Sequence, residues 1–329
     1  MGKTLATAVA ALFLLATIGI VNAQTSGTGL PTASPQPSSA NDLRDVPIRI
    51  AITFDDLPAH GPLPPGETRI EVATKTIAAL HDANVPPIYG FVNGVRIEEQ
   101  PADAAVLQAW RAAGFPLANH AWSHMNLNQN SLEAFEADVT HNEPLLSNLM
   151  EGRNAAWHWF RFPYLAEGDT PEKIAGIRAF LAQRGYESAA VTMSFDDYQW
   201  NDPYARCKAK GDEKAVQSLE DSYLAAAADS ITYSRALSRK LYNRDIPYVL
   251  LMHIGAFDAE MLPRLLDLYR SRGVQFVTLE EAEWDEFYLQ QTDLHQPPGP
   301  STLEGAMAER HLPFPAHATP APQLDTLCR

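Results

Sequence analysis

The chain is short of several things, and each shortage excludes something. Its 329 residues hold only two cysteines, so any disulfide framework reduces to one bridge, Cys207 to Cys328. Positive charge is scarce: 25 Lys and Arg stand against 40 Asp and Glu, a formal net charge of −15. That balance argues against nucleic acid as a partner, and against a strongly anionic polymer as substrate unless the cleft is locally basic. A long apolar run occurs at the N-terminus, Leu5 to Val21, and it sits at the short end for a membrane span. No cysteine lies near the end of that run, which speaks against a lipid-anchored form.

What is present gives the chain a direction. Lys3 precedes the apolar run, and Val21-Asn22-Ala23 places small residues where a signal peptidase cuts. Residues 1–23 therefore read as a signal peptide, cleaved after Ala23, and the protein as secreted or periplasmic. Cleavage removes Lys3 alone among the charged residues, taking −15 to −16. Residues 24–44 are rich in Ser, Thr and Pro and read as a disordered leader. An oxidising compartment favours the Cys207–Cys328 bridge, pinning the C-terminus to the body.

From Arg49 onward strand and helix signals alternate. Arg49–Phe54, Pro86–Val92, "FPLANH", "SAAVTM", Ile246–His253 and "VQFVTL" read as strands. Between them, apolar residues recur at helical spacing: Ile70, Ala73, Ile77 and Leu80, then Leu132, Phe135, Val139 and Leu146, then Ile174, Ile177 and Leu181. Thr170-Pro171 reads as a helix start, and Glu213–Asn243 as one long helix. Repeated β-then-α units predict a parallel sheet covered by helices, open or closed into a barrel. The catalytic domain is expected over 45–287. Residues 288–329, proline-rich and nonperiodic, are expected to lie on the surface as a tail.

Four stretches could carry chemistry. Asp55 and Asp56 end a strand that is otherwise apolar. Alone, such a pair is more often a solvated turn than a site. His120 and His124 stand four apart, a spacing that lets two imidazoles reach one ion. The glutamate of a zincin helix is missing, since Ala121 follows His120. "RFPY", Arg161–Tyr164, and "LLMH", ending in His253, are each ambiguous by themselves.

Their order and spacing together closely resemble the polysaccharide deacetylase family, the NodB homology domain of carbohydrate esterase family 4. The resemblance runs from about Ile48 to Glu283. Thr53-Phe54-Asp55-Asp56 is similar to its first motif, His120-Ala121-Trp122-Ser123-His124 to its second, Arg161-Phe162-Pro163-Tyr164 to its third and Leu250-Leu251-Met252-His253 to its fifth. The fourth departs from D-x-x-D-W: Ser194 stands for the first acid, Asp197 matches the second and Tyr198 replaces the tryptophan.

The resemblance implies a distorted (β/α) barrel of about seven parallel strands. It implies one divalent metal, zinc before cobalt, nickel or manganese, held by Asp56, His120 and His124 with a position left open for water. Asp55 would be the base that deprotonates this metal-bound water, with Arg161 orienting it. The backbone N–H of Tyr164 would bind the oxyanion, and His253 would protonate the leaving amine, supported by Asp197. Trp122, Trp200 and Leu251 are candidate walls for sugar or acetyl. The implied activity is an exported metal-dependent hydrolase of carbon–nitrogen bonds other than peptide bonds. It would remove N-acetyl groups from a chitin-like oligomer, peptidoglycan or an exopolysaccharide. An O-acetyl esterase of the acetylxylan type would share this machinery. A non-catalytic carbohydrate-binding relative would keep the scaffold and lose the metal.

Overall fold

The computed structural model describes residues 47–152, 156–317 and 324–329. The expected signal peptide and leader lie outside the described residues. The elements run β1 (Ile48–Leu57), α1 (Arg69–Asp82), β2 (Tyr89–Val92), α2 (Val95–Glu99), α3 (Ala104–Ala112), β3 (Leu117–Asn119) and α4 (Leu132–Met150). They continue β4 (Trp159–Phe160), α5 (Pro171–Gln183), β5 (Glu187–Ser188), α6 (Asn201–Lys210), α7 (Glu213–Tyr242), β6 (Tyr248–His253) and α8 (Ala256–Ser271). The last are β7 (Val274–Phe276), α9 (Leu279–Glu283), α10 (Leu289–Thr292) and α11 (Leu303–Glu309).

The strands order as β5-β4-β3-β2-β1-β6, with β7 on the first residues of β1, and each pairing is parallel. Beyond β5 the chain crosses to the opposite edge. Met193 bridges Leu250 of β6 in parallel, the backbone N–H groups of Thr192 and Met193 donate to the Val249 carbonyl, and Leu251 N–H donates to Met193. This contact turns the sheet into a ring, and the fold is a distorted (β/α) barrel. The "SAAVTM" stretch is thus not a regular strand. Its residues serve two edges in turn, so the stretch never keeps one partner long enough to form a ladder.

Local signals place the helices. Thr68 and Glu71 close a capping box at the start of α1, Ser131 caps α4, and Thr170 caps α5 with Pro171 in its first turn. Val72, Ala73, Thr76, Ala79 and Leu80 form the buried stripe of α1. Trp110 from α3 fills the space beneath β1, edge-on to Phe54 at 5.6 Å. Gly90 on β2 is required by that fit: a Cβ there would meet Leu57 Cδ2 at 2.5 Å and the Trp110 ring nitrogen at 3.0 Å.

The last residues differ from expectation. Within 288–329, Tyr288, Leu303, Ala306 and Met307 are fully buried, and α11 packs on α7. Leu303, Ala306 and Met307 sit at i, i+3 and i+4, an apolar stripe too short to stand out among the prolines around it.

Candidate active site

Parallel pairing brings the C-terminal ends of the strands to one mouth, and the chemistry collects there. Asp55 and Asp56 lie near the end of β1, His120 follows β3, Arg161 follows β4, and His253 is the last residue of β6. Asp55 pairs in register with His253. The strand runs on past the two acids to Leu57, but its register shifts after Phe54 and Asp56 takes a left-handed φ of 64°. That kink turns two adjacent carboxylates toward the same cavity instead of opposite faces of the sheet. The cavity encloses about 400 Å³. Its polar lining is Asp55, Asp56, His60, His120, His124 and His253, with Ser194 and Asp196 at one side. Phe162, Tyr164, Leu165, Tyr198 and Leu251 supply the apolar part.

Asp55 is buried and held by Arg161, whose Nη1 lies 3.2 and 3.3 Å from its two oxygens. The guanidinium is itself fully buried. Its Nε donates to Ala189 O, Nη2 donates to Thr53 Oγ1 and Ala190 O, and the Phe91 ring lies 4.7 Å away. Such a saturated fork has one orientation, so Asp55 has one as well.

Asp56, His120 and His124 bring one donor atom each within 4.8 Å of one another. Nδ1 of His120 is 2.7 Å from the Arg161 carbonyl. A carbonyl only accepts, so Nδ1 carries the proton and Nε2 faces Asp56. Asp56 Oδ1 lies 3.5 Å from His120 Nε2 and 3.3 Å from His124 Nε2, yet it is buried with no hydrogen-bond partner. Burial pulls His124 down to about 4, so it is neutral near pH 7. Burial alone would raise Asp56, but His120, His60 and His253 around it hold its carboxyl well below the usual range. One carboxylate with an orphaned oxygen facing two imidazole nitrogens fits a divalent cation.

His253, beside Asp55 on the neighbouring strand, faces the same cavity. Its backbone N–H donates to Asp197 Oδ2 at 2.6 Å and its Nδ1–H to Oδ1 at 2.9 Å. Burial works against its charge, but the fully buried Asp197, with Asp56 and Asp55 beyond it, pushes the imidazole up to about 10. The altered fourth motif therefore retains its carboxylate–histidine contact. Ser194 accepts a hydrogen bond from the Asp196 N–H instead.

A polysaccharide deacetylase profile matches residues 44–179, a span holding the first three motifs. Over that span this chain matches the polysaccharide deacetylase family. Asp197 and His253 lie beyond the matched span, on the same barrel. Among solved structures, the chitin deacetylase of the fungal pathogen Colletotrichum lindemuthianum shares 21% identity, with 72% of this chain and 88% of that one covered at a TM-score of 0.50. A family 4 carbohydrate esterase from Streptomyces lividans, in complex with acetate, shares 17% over 71% and 95%, at 0.45. A mutant of BA3943 from Bacillus anthracis, a family 4 pseudoenzyme with restored activity, shares 14%. It is covered over 66% of its length by 71% of this chain, at 0.49. No curated protein matches the sequence.

Two expected walls of the deacetylase cleft are not in it. Trp122 stacks on His141 of α4 at 4.1 Å and covers Gly94, on the outer side of the motif that bears it. Trp200 is fully buried, edge-on to Tyr223, with its ring N–H donating to Ser222 Oγ. In both cases residue type pointed to sugar stacking, whereas backbone direction turns the ring into packing. Leu251 does line the cavity, as does Tyr164, which is 66% exposed. Sequence reasoning missed His60, Asp196 and the wall role of Tyr198. Asp196 is left-handed at φ 57°, which swings it into the cavity, and no local spacing announces that turn. His60 stands four residues after Asp56, but Pro58 between them removes the helical argument that would have paired them.

Proposed function

We propose that the protein is an exported, metal-dependent hydrolase that removes N-acetyl groups from an acetylated polysaccharide. The observation that carries this reading is the convergence of Asp55 and His253, neighbours on β1 and β6, on one cavity, each held by a buried partner of opposite charge. Asp56, His120 and His124 would hold the metal, zinc by ligand type. When bound there it would supply Lewis-acid polarisation of a water and of an acetyl carbonyl.

The remaining work falls to side chains of the chain itself. Asp55, oriented by Arg161, takes a proton from the attacking water. The backbone N–H of Tyr164, a residue at a left-handed φ of 59°, would stabilise charge on the carbonyl oxygen. His253, charged through Asp197, donates a proton to the departing nitrogen. An amine cannot leave as an anion, so an acid that is protonated near neutral pH suits an amide more than an ester. Tyr164 and Tyr198, exposed at the rim, offer ring faces to a sugar. Export rests on the N-terminal signal.

Acetate release tests the reading, run with and without chelator on N-acetylglucosamine oligomers, peptidoglycan and acetylxylan. Release from an N-acetylated polymer, lost on chelation and restored by zinc, is expected. Asp55→Asn should bind zinc as before and lose about 10²–10⁴ in rate. Release from acetylxylan alone would make the protein an O-acetyl esterase. Zinc binding without acetate from any substrate would overturn the enzyme reading.

A further inference from the structure

His60 lies outside every stretch that carries the family resemblance, yet it makes one of the shortest polar contacts of the site. Its Nδ1 is 2.7 Å from Asp56 Oδ2. A carboxylate accepts, so Nδ1–H is the donor. The two oxygens of Asp56 are thereby divided: Oδ2 is taken by His60, while Oδ1 stays unpartnered toward His120 and His124.

The backbone is built to make this contact. Ala59 N–H donates to Asp56 O at 2.8 Å, closing a turn just after the left-handed Asp56. Arg69, from the first turn of α1, donates to the carbonyls of His60 and Gly61. The chain is thus folded back over Asp56 and clamped there. The His60 ring also lies 4.7 Å from that of His253 and is only 18% exposed, unlike a solvated surface histidine.

A second use of the same residue is conceivable on distance alone, since Asp56, His60 and His253 also bring donor atoms within 4.8 Å. The oxygens of Asp56 decide between the two sets: Oδ1, which has no hydrogen-bond partner, faces His120 and His124, whereas Oδ2 on the His60 side already accepts from His60.

We propose that His60 is a positioning residue that holds Asp56 as a one-oxygen metal ligand. The inference rests on the metal-dependent reading above. Outer partners of this kind typically change metal affinity by about 10–100-fold when removed. The test is zinc affinity of the full chain by chelator competition, a readout separate from turnover. Asn presents an amide N–H near the position of Nδ1, whereas Phe and Leu present none.

His60→Phe and His60→Leu should each weaken zinc about 10–100-fold with unchanged far-ultraviolet circular dichroism. His60→Asn should recover most of that loss. Wild-type zinc affinity in the Phe and Leu variants would overturn the inference and leave the metal reading standing. So would an Asn variant as weak as they are. A wild-type chain that binds no zinc would overturn both.

Discussion

At the scale of single residues, burial and pairing oppose each other most sharply at His253. Asp197 has no exposed surface and spends both oxygens on that one residue. The imidazole is raised from an ordinary value near 6.5 to about 10, so its charge is worth more folded than unfolded. That contribution is complete below about pH 6.5, shrinks as pH rises, and is gone above about 10. In the metal-stripped protein, ring resonances should show His253 titrating near pH 10. Asp197→Asn should bring it down and flatten the fall in stability between those limits. A titration near 6.5 in the unsubstituted protein would contradict the arrangement.

At the scale of elements, the histidine-bearing loop after β3 is held by amides that bear no chemistry. Asn93, just after β2, donates to the carbonyls of His120 and Ala121 at 2.6 and 3.0 Å. Asn142 of α4 donates to Asn119 Oδ1 and Val92 O, and Asn119 Oδ1 also receives the Ala121 N–H. Three fully or nearly fully buried amides thus tie two strand ends and a helix to the backbone on which His120 stands. Asn93→Ala strands two carbonyls without partners and should cost about 1–3 kcal/mol by denaturant unfolding, with weaker zinc binding. These residues were not legible as site residues. The motifs were, because their order and spacing together resemble a known family's, although each stretch alone was ambiguous. An asparagine that props a loop is indistinguishable in sequence from one in a turn.

At the scale of the whole molecule, the C-terminal segment is part of the body. Cys207 is buried on α6 and bonded to Cys328, across 121 residues. Arg206 beside it donates to the carbonyls of Leu324 and Leu327. The same α6 follows directly on the turn that carries Asp197, so the bridge fastens the chain end to the element supporting His253. Closing so long a loop restricts the unfolded chain. Cys328→Ser should lower unfolding free energy by about 2–4 kcal/mol, while acetate release at 25 °C is retained. Reduction of the unsubstituted protein should give the same shift. No shift in either case would mean that α11 and the Arg206 contacts hold the segment unaided. Among the described residues no helix is long and apolar enough to cross a membrane.

By itself the sequence determined the alternation of strands and helices, the parallel sheet, and the identity of Asp55, Asp56, His120, His124, Arg161 and His253. The first two follow from periodicity, and the residues from the order and spacing of four motifs that together resemble a known family's. Only the tertiary structure decided where the rings point and what supports the ligands. It turned Trp122 and Trp200 into packing, brought Asp196 and Tyr198 to the rim, closed the barrel through Met193, and folded His60 back onto Asp56. Each of these depends on left-handed backbone, register shifts or contacts between distant segments, and none leaves a local period in the chain.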